Sequence, residues 1–196
     1  MRQLLPASVI AVVLGLASGA DAGALLFRSA LGPEVPGATG SGSVAVWLDP
    51  AANTLRIRTG FSGLSGVTTV AHIHCCTTVP GTGTVGVAVT PGTLTDFPVG
   101  ISAGTYDRSF ATDDTATYTN AFRNGPGGGT AEGAEAALIA GMRAGTAYLN
   151  IHSSTFGPGE IRGFLAAVPA PAALGLFGLG IAALSLLRRR GGAATA

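Results

Sequence analysis

Short runs in which apolar and polar residues alternate, broken by Gly and Pro, recur along most of this chain and leave few folds open to it. They cover Gly42 to Leu48, Thr54 to Phe61, Thr68 to His74, Val85 to Thr90, Thr105 to Ala111, Ala147 to His152 and Glu160 to Ala166. Successive side chains of a strand point to opposite faces, so such a run buries one face and wets the other. In the first run Val44, Val46 and Leu48 share a face; in the second Leu55, Ile57 and Thr59 oppose Arg56 and Arg58. The tight connection Asp49 to Asn53 reads as a hairpin turn between these two. The pattern predicts an all-β antiparallel sandwich of short strands.

The period changes once. Ala136, Ala137, Leu138 and Met142 are spaced for a short helix between Glu132 and Ala144, with Glu132 and Glu135 in its first turn, where carboxylates favour the helix dipole. Gly125 to Gly129 before it reads as a mobile loop, and Thr112 to Asn124 as loop or weak strand.

Both ends of the chain carry apolar segments. Arg2, the apolar run Leu4 to Leu16 and Ala20-Asp21-Ala22 have the layout of a secretory signal peptide, placing cleavage by signal peptidase after Ala22. At the other end, Ala172 to Leu187 carries no charge and is followed by Arg188, Arg189 and Arg190. At 1.5 Å per residue such a helix spans roughly 24 Å, a little less than the hydrocarbon core of a bilayer. It is expected to cross the membrane at about 172–187 and leave its arginines in the cytoplasm. The predicted organisation is therefore signal peptide 1–22, domain 23–167, anchor segment 168–190 and tail 191–196.

Residues 23–167 hold seven arginines, nine carboxylates and no lysine, a near-neutral balance that makes nucleic acid an unlikely partner.

The chemistry-bearing residues gather at two places. All three histidines end two similar runs, Thr69-Val70-Ala71-His72-Ile73-His74 and Ala147-Tyr148-Leu149-Asn150-Ile151-His152. Period-two geometry puts His72 and His74 on one face with Val70, and His152 on one face with Asn150 and Tyr148. If the two runs are neighbours, three imidazoles could converge, a donor set that suits copper or zinc; alternatively each ring bonds backbone groups at a strand end. Cys75 and Cys76 follow at once. Adjacent cysteines do not staple distant strands, which leaves a vicinal disulfide, free thiols beside the histidines or an intermolecular bridge, the first being favoured in an oxidising compartment.

No catalytic constellation stands out. Ser153 and Ser154 flank His152 without a nucleophile elbow, Asp113-Asp114 is an isolated acidic pair, and Gly81-x-Gly83-x-x-Gly86 precedes strand-like Val87-Ala88-Val89 and not a helix, so it cradles no phosphate. Glu160 and Arg162, on one strand face, are expected to pair across an edge.

Two resemblances complete the reading. Val168-Pro169-Ala170-Pro171, the short apolar segment and the arginine cluster resemble the PEP-CTERM sorting signal, with Ala170 where that family usually has glutamate. This resemblance implies recognition of Val168, Pro169, Pro171 and Arg188 to Arg190 by an exosortase, an inner-membrane-anchored intermediate, and a final place at the cell surface or in an exopolysaccharide matrix of a Gram-negative bacterium. Gly63-Leu64, Ala71-His72-Ile73-His74, Ala147 to Ser153 and Gly159-Glu160-Ile161-Arg162-Gly163 resemble the CHRD domain over roughly Gly42 to Leu165. Cys75-Cys76 stands where many members carry a Gly-rich turn, and Phe164 where a polar residue often follows. That family implies an Ig-like, Cu/Zn superoxide dismutase-like β-sandwich without enzymatic activity. A dismutase centre needs more histidines than the chain has. The leading expectation is a sorted, non-enzymatic binding or structural module; the alternative is a copper or zinc protein using His72, His74 and His152 with Cys75 and Cys76.

Overall fold

The computed structural model describes residues 23–169. Nine strands form the framework: β1 (Leu25–Pro33), β2 (Ser41–Asp49), β3 (Thr54–Ser62), β4 (Thr68–His74), β5 (Val87–Val89), β6 (Gly104–Ala111), β7 (Tyr148–Ser153), β8 (Ile161–Phe164) and β9 (Ala166–Ala167). The helices are α1 (Asn120–Asn124) and α2 (Ala131–Arg143), with a 3-10 turn at Thr115–Thr117.

Hydrogen bonding links the strands in the order β5-β4-β7-β8-β1-β2-β3-β6, every strand antiparallel to its neighbour, with β9 also on β1. Two separate sheets were expected, and this corrects the sandwich: the sheet is one curved antiparallel half-barrel with a short helix. The difference lies in β1, which the sequence pattern did not reveal. Its residues Leu25 to Leu31 pair with β2, and its last two, Gly32 and Pro33, pair with Arg162 and Ile161 of β8. One strand thus belongs to both halves.

Alternation built the rest as its chemistry demands. Val44, Val46 and Leu48 of β2 and Leu55 and Ile57 of β3 are buried, while Arg56 and Arg58 face solvent. Asp49 closes the β2–β3 turn by accepting from the Ala51 and Ala52 amides, and Asn53 takes the positive φ of 50° that the reversal requires. Ala71 and Ile73 of β4, Leu149 and Ile151 of β7 and Ile161 of β8 line the same interior. Ala134, Leu138 and Met142, one helical turn apart, bring α2 onto it. Thr130 caps α2 by accepting from the Gly133 amide.

The C-terminal readings are corrected here. Val168 donates its amide to the Leu26 carbonyl at 2.8 Å, continuing the β9 pairing with β1 where a membrane segment was expected to begin. Among the described residues no helix is long and apolar enough to cross a membrane. The expected span at 172–187, with Pro171 and Arg188 to Arg190, and the signal peptide at 1–22 lie outside the described residues.

Candidate metal centre

Strand β4 sends Ala71 and Ile73 into the core, so its two histidines emerge on the other face. Strand β7 lies beside it in antiparallel register, His72 opposite Asn150 and His74 opposite Tyr148. His152, two residues beyond Asn150, falls on the same face. The conditional juxtaposition of the sequence reading is therefore present: one nitrogen from each of the three rings lies within 4.8 Å of the others. Ring centroids are separated by 5.5 Å (His72 and His152), 5.7 Å (His72 and His74) and 6.3 Å (His74 and His152).

Although they leave the core face, His72 and His74 are buried, because the chain around β5 folds over them. Each ring donates one N–H to a backbone carbonyl: His72 Nε2 to Gly92 at 2.8 Å, His74 Nδ1 to Val85 at 2.7 Å and His152 Nδ1 to Gly157 at 2.7 Å. A carbonyl only accepts, so each bond fixes the tautomer and leaves the second nitrogen with a lone pair. Those second nitrogens, His72 Nδ1, His74 Nε2 and His152 Nε2, are all buried and all without a hydrogen-bond partner. Burial pushes His72 below the ordinary imidazole range, with the Gly92 carbonyl opposing and His152 assisting. Burial likewise pushes His74 down to about 4, against the Val85 carbonyl and helped by the charges of His72, His152 and Arg162. Neutral rings with free lone pairs are the protonation state that metal ligation requires.

The surroundings hold the rings in place. Tyr148 stacks on His74 with centroids 4.8 Å apart and planes 3° from parallel. The Arg162 guanidinium lies 5.3 Å from the Tyr148 centroid and 5.4 Å from that of Phe164, donates to the Gly83 carbonyl and pairs with Glu34 at 3.2 Å. Glu34 in turn accepts from Asn150 Nδ2 at 2.8 Å. This polar row needs Gly159, at φ +143°, because a Cβ there would meet Glu34 Oε2 and both amide atoms of Asn150.

The expected partnership of Glu160 and Arg162 is replaced by two others. Arg162 takes Glu34, whereas Glu160, fully buried, accepts from the Ser65 amide and fixes the β3–β4 loop. Burial raises the Glu160 carboxyl, but the bond from the Ser65 amide and the donor groups of Ser153 and Gly66 around it outweigh this and hold the group below the usual carboxylate range.

The cysteines leave the cluster. Cys75 and Cys76 form a disulfide whose sulfurs pack on α2 at Gly141, where an added Cβ would lie 2.3 Å from Cys75 Sγ and 2.4 Å from Cys76 Sγ. They offer the histidines no thiolate, and the metal group among the described residues is His72, His74 and His152 without them. The carbonyls of Val85, Gly92 and Gly157, and the Glu34–Asn150–Arg162 row, were missed at the sequence level. The one available signal was the glycine at 92 and 157, marking turns that carry the chain back across a strand end.

A curved antiparallel half-barrel with a histidine tripod on its outer face is thus the class of protein that fold and site define. The CHRD domain family model matches residues 27–165, most of the chain, and the protein belongs to that family. Searches of curated proteins and of solved structures returned no match. CHRD domains are non-catalytic structural modules, and the chain is a non-enzymatic one. The histidine cluster could coordinate a metal ion. The expectation of a sorted surface or matrix module, with the membrane and exosortase as partners and an inner-membrane intermediate, is withdrawn. Among the described residues no helix is long and apolar enough to cross a membrane.

Proposed function

We propose that this chain is a metal-binding CHRD protein in which His72, His74 and His152 hold copper or zinc, within a folded module of residues 23–167 that follows a leader of residues 1–22. The observation that supports it most is the pattern of the six ring nitrogens: three spent on carbonyls, three buried without a partner. A buried polar atom left unpaired costs about 1–3 kcal/mol, and three of them on neighbouring rings ask for an electrophile. Three imidazoles, each braced through its second nitrogen by a carbonyl, are a donor set for zinc or copper. Zinc–nitrogen bonds of about 2.0–2.1 Å in a tetrahedral site draw the ligand nitrogens closer than their present 4.8 Å limit by up to about 1.5 Å, a movement shared among three side chains.

The test is metal content of the full chain after dialysis, followed by calorimetric titration with each metal. Stoichiometric copper or zinc is expected, with affinity falling at least about 100-fold in His152→Ala, whose partly exposed ring can be removed with little effect on the core. Unchanged affinity in that variant refutes the site.

A further inference from the structure

The tripod supplies three nitrogen donors and no negative charge. Among the described residues no carboxylate or thiolate joins the group, so a four-coordinate metal keeps one position for a ligand from outside. Arg162, whose charge reaches His74, is paired with Glu34 at 3.2 Å, and the two neutralise each other. A dication on this tripod therefore keeps its full charge beside His72 and His74, which are 8% and 9% exposed. Uncompensated charge in such a place is costly, and an anion in the open position removes the cost. His152 is the partly exposed member of the three.

Asn150 narrows the kind of anion. It is 2% exposed and sits in the register row between His72 of β4 and Arg162 of β8, two residues before His152. Its Nδ2 donates to Glu34 Oε2, while its Oδ1 is buried without a partner. A carbonyl oxygen only accepts, so the atom it lacks is a donor hydrogen. Azide, nitrate and formate cannot supply one; an oxyanion that keeps a hydroxyl can.

We propose, resting on the metal reading above, that the open position takes a small oxyanion carrying its own O–H, of which hydrogencarbonate is the simplest. One oxygen binds the metal and the hydroxyl donates to Asn150 Oδ1. Asn150 is then the residue that selects the ligand, and the Glu34–Arg162 pair fixes its amide by accepting at Nδ2.

The probe is cobalt(II), whose visible bands report coordination number and ligand exchange. The full chain is loaded with cobalt at constant pH and titrated separately with hydrogencarbonate, formate and azide. One added hydrogen bond corresponds to about tenfold in affinity, so hydrogencarbonate is expected to bind about tenfold more tightly than formate. In Asn150→Leu that preference should shrink to within about twofold, while cobalt and azide still bind. Bands that respond to no anion, or equal affinities for hydrogencarbonate and formate in the unaltered protein, overturn the proposal and leave the metal site standing. Absence of any cobalt spectrum overturns the metal reading itself, and this proposal with it. The comparison within the unaltered protein decides the matter even if Asn150→Leu fails to fold.

Discussion

Gly141→Ala should destabilise the protein, although the same change in a helix ordinarily does the reverse. Gly141 lies inside α2, where alanine is favoured over glycine by about 1 kcal/mol. Against that gain stands the disulfide: the new Cβ would fall 2.3 Å and 2.4 Å from the two sulfurs and 3.4 Å from Cys76 Cβ. Contacts between such atoms settle at about 3.5–4.0 Å, so both sulfurs must retreat by more than about 1 Å, or α2 must lift from the core. Cys75 is itself 3% exposed and has little room to move. Overpacking of this kind costs about 1–3 kcal/mol, and the net loss should be about 1–2 kcal/mol after the helix gain is subtracted. The control is the same substitution in a Cys75→Ala, Cys76→Ala background, where the clash is gone and alanine should stabilise by up to about 1 kcal/mol. Guanidinium unfolding of the four proteins gives the coupling energy, expected at about 2–3 kcal/mol. If Gly141→Ala has the same effect in both backgrounds, the disulfide does not pack on α2 and the reasoning fails.

Acid should weaken the metal-free protein well before carboxylates are titrated. His74 is held down to about 4 in the folded chain and stands near about 6.5 when unfolded, so the unfolded chain binds the extra proton. Stability is complete above about pH 7 and falls by up to about 3 kcal/mol as the pH drops from about 6.5 towards 4, with His72 acting in the same direction. Urea unfolding across that range checks the slope, and a flat profile refutes the burial assigned to these rings. Glu160→Gln should cost about 1–3 kcal/mol, because glutamine can keep the bond from the Ser65 amide through its oxygen but must place an NH2 donor, at a fully buried position, among groups that are themselves donors. A loss below about 0.5 kcal/mol would show that the loop does not depend on this carboxylate.

Period-two alternation located β2, β3, β4, β6 and β7 closely, since apolar and polar side chains alternate along each, although β4 and β7 are covered on both faces. It could not reveal β1. Leu25 and Leu26 are adjacent and both half-buried, and Phe27 and Leu31 are buried four apart, a spacing that a strand and a helix share. Without β1, separate sheets and a continuous one look alike in sequence. The histidine convergence was legible as a condition, since strand faces are local but strand neighbours are not. The carbonyls that set the tautomers were not legible, for they come from Val85, Gly92 and Gly157, none adjacent in sequence to the ring it holds. The cysteines show the limit of periodicity. Continued alternation would put Cys76 on the face of His72 and His74, but β4 ends at His74 and the chain turns both sulfurs to α2.

The place of β1 bears on the order in which the fold can assemble. Strands β1, β2 and β3 follow one another and can pair as soon as they exist, yet β1 also waits for Ile161, Arg162, Ala166 and Ala167, more than a hundred residues downstream. Contacts of such long sequence separation slow folding, because loop closure must precede the reward of pairing. The tripod inherits the delay: His152 and its Gly157 carbonyl belong to the late part of the chain, whereas His72 and His74 belong to the early part. A nascent chain would therefore hold two imidazoles for a long interval before the third arrives, and the complete centre would form only as the first strand is clasped by the last.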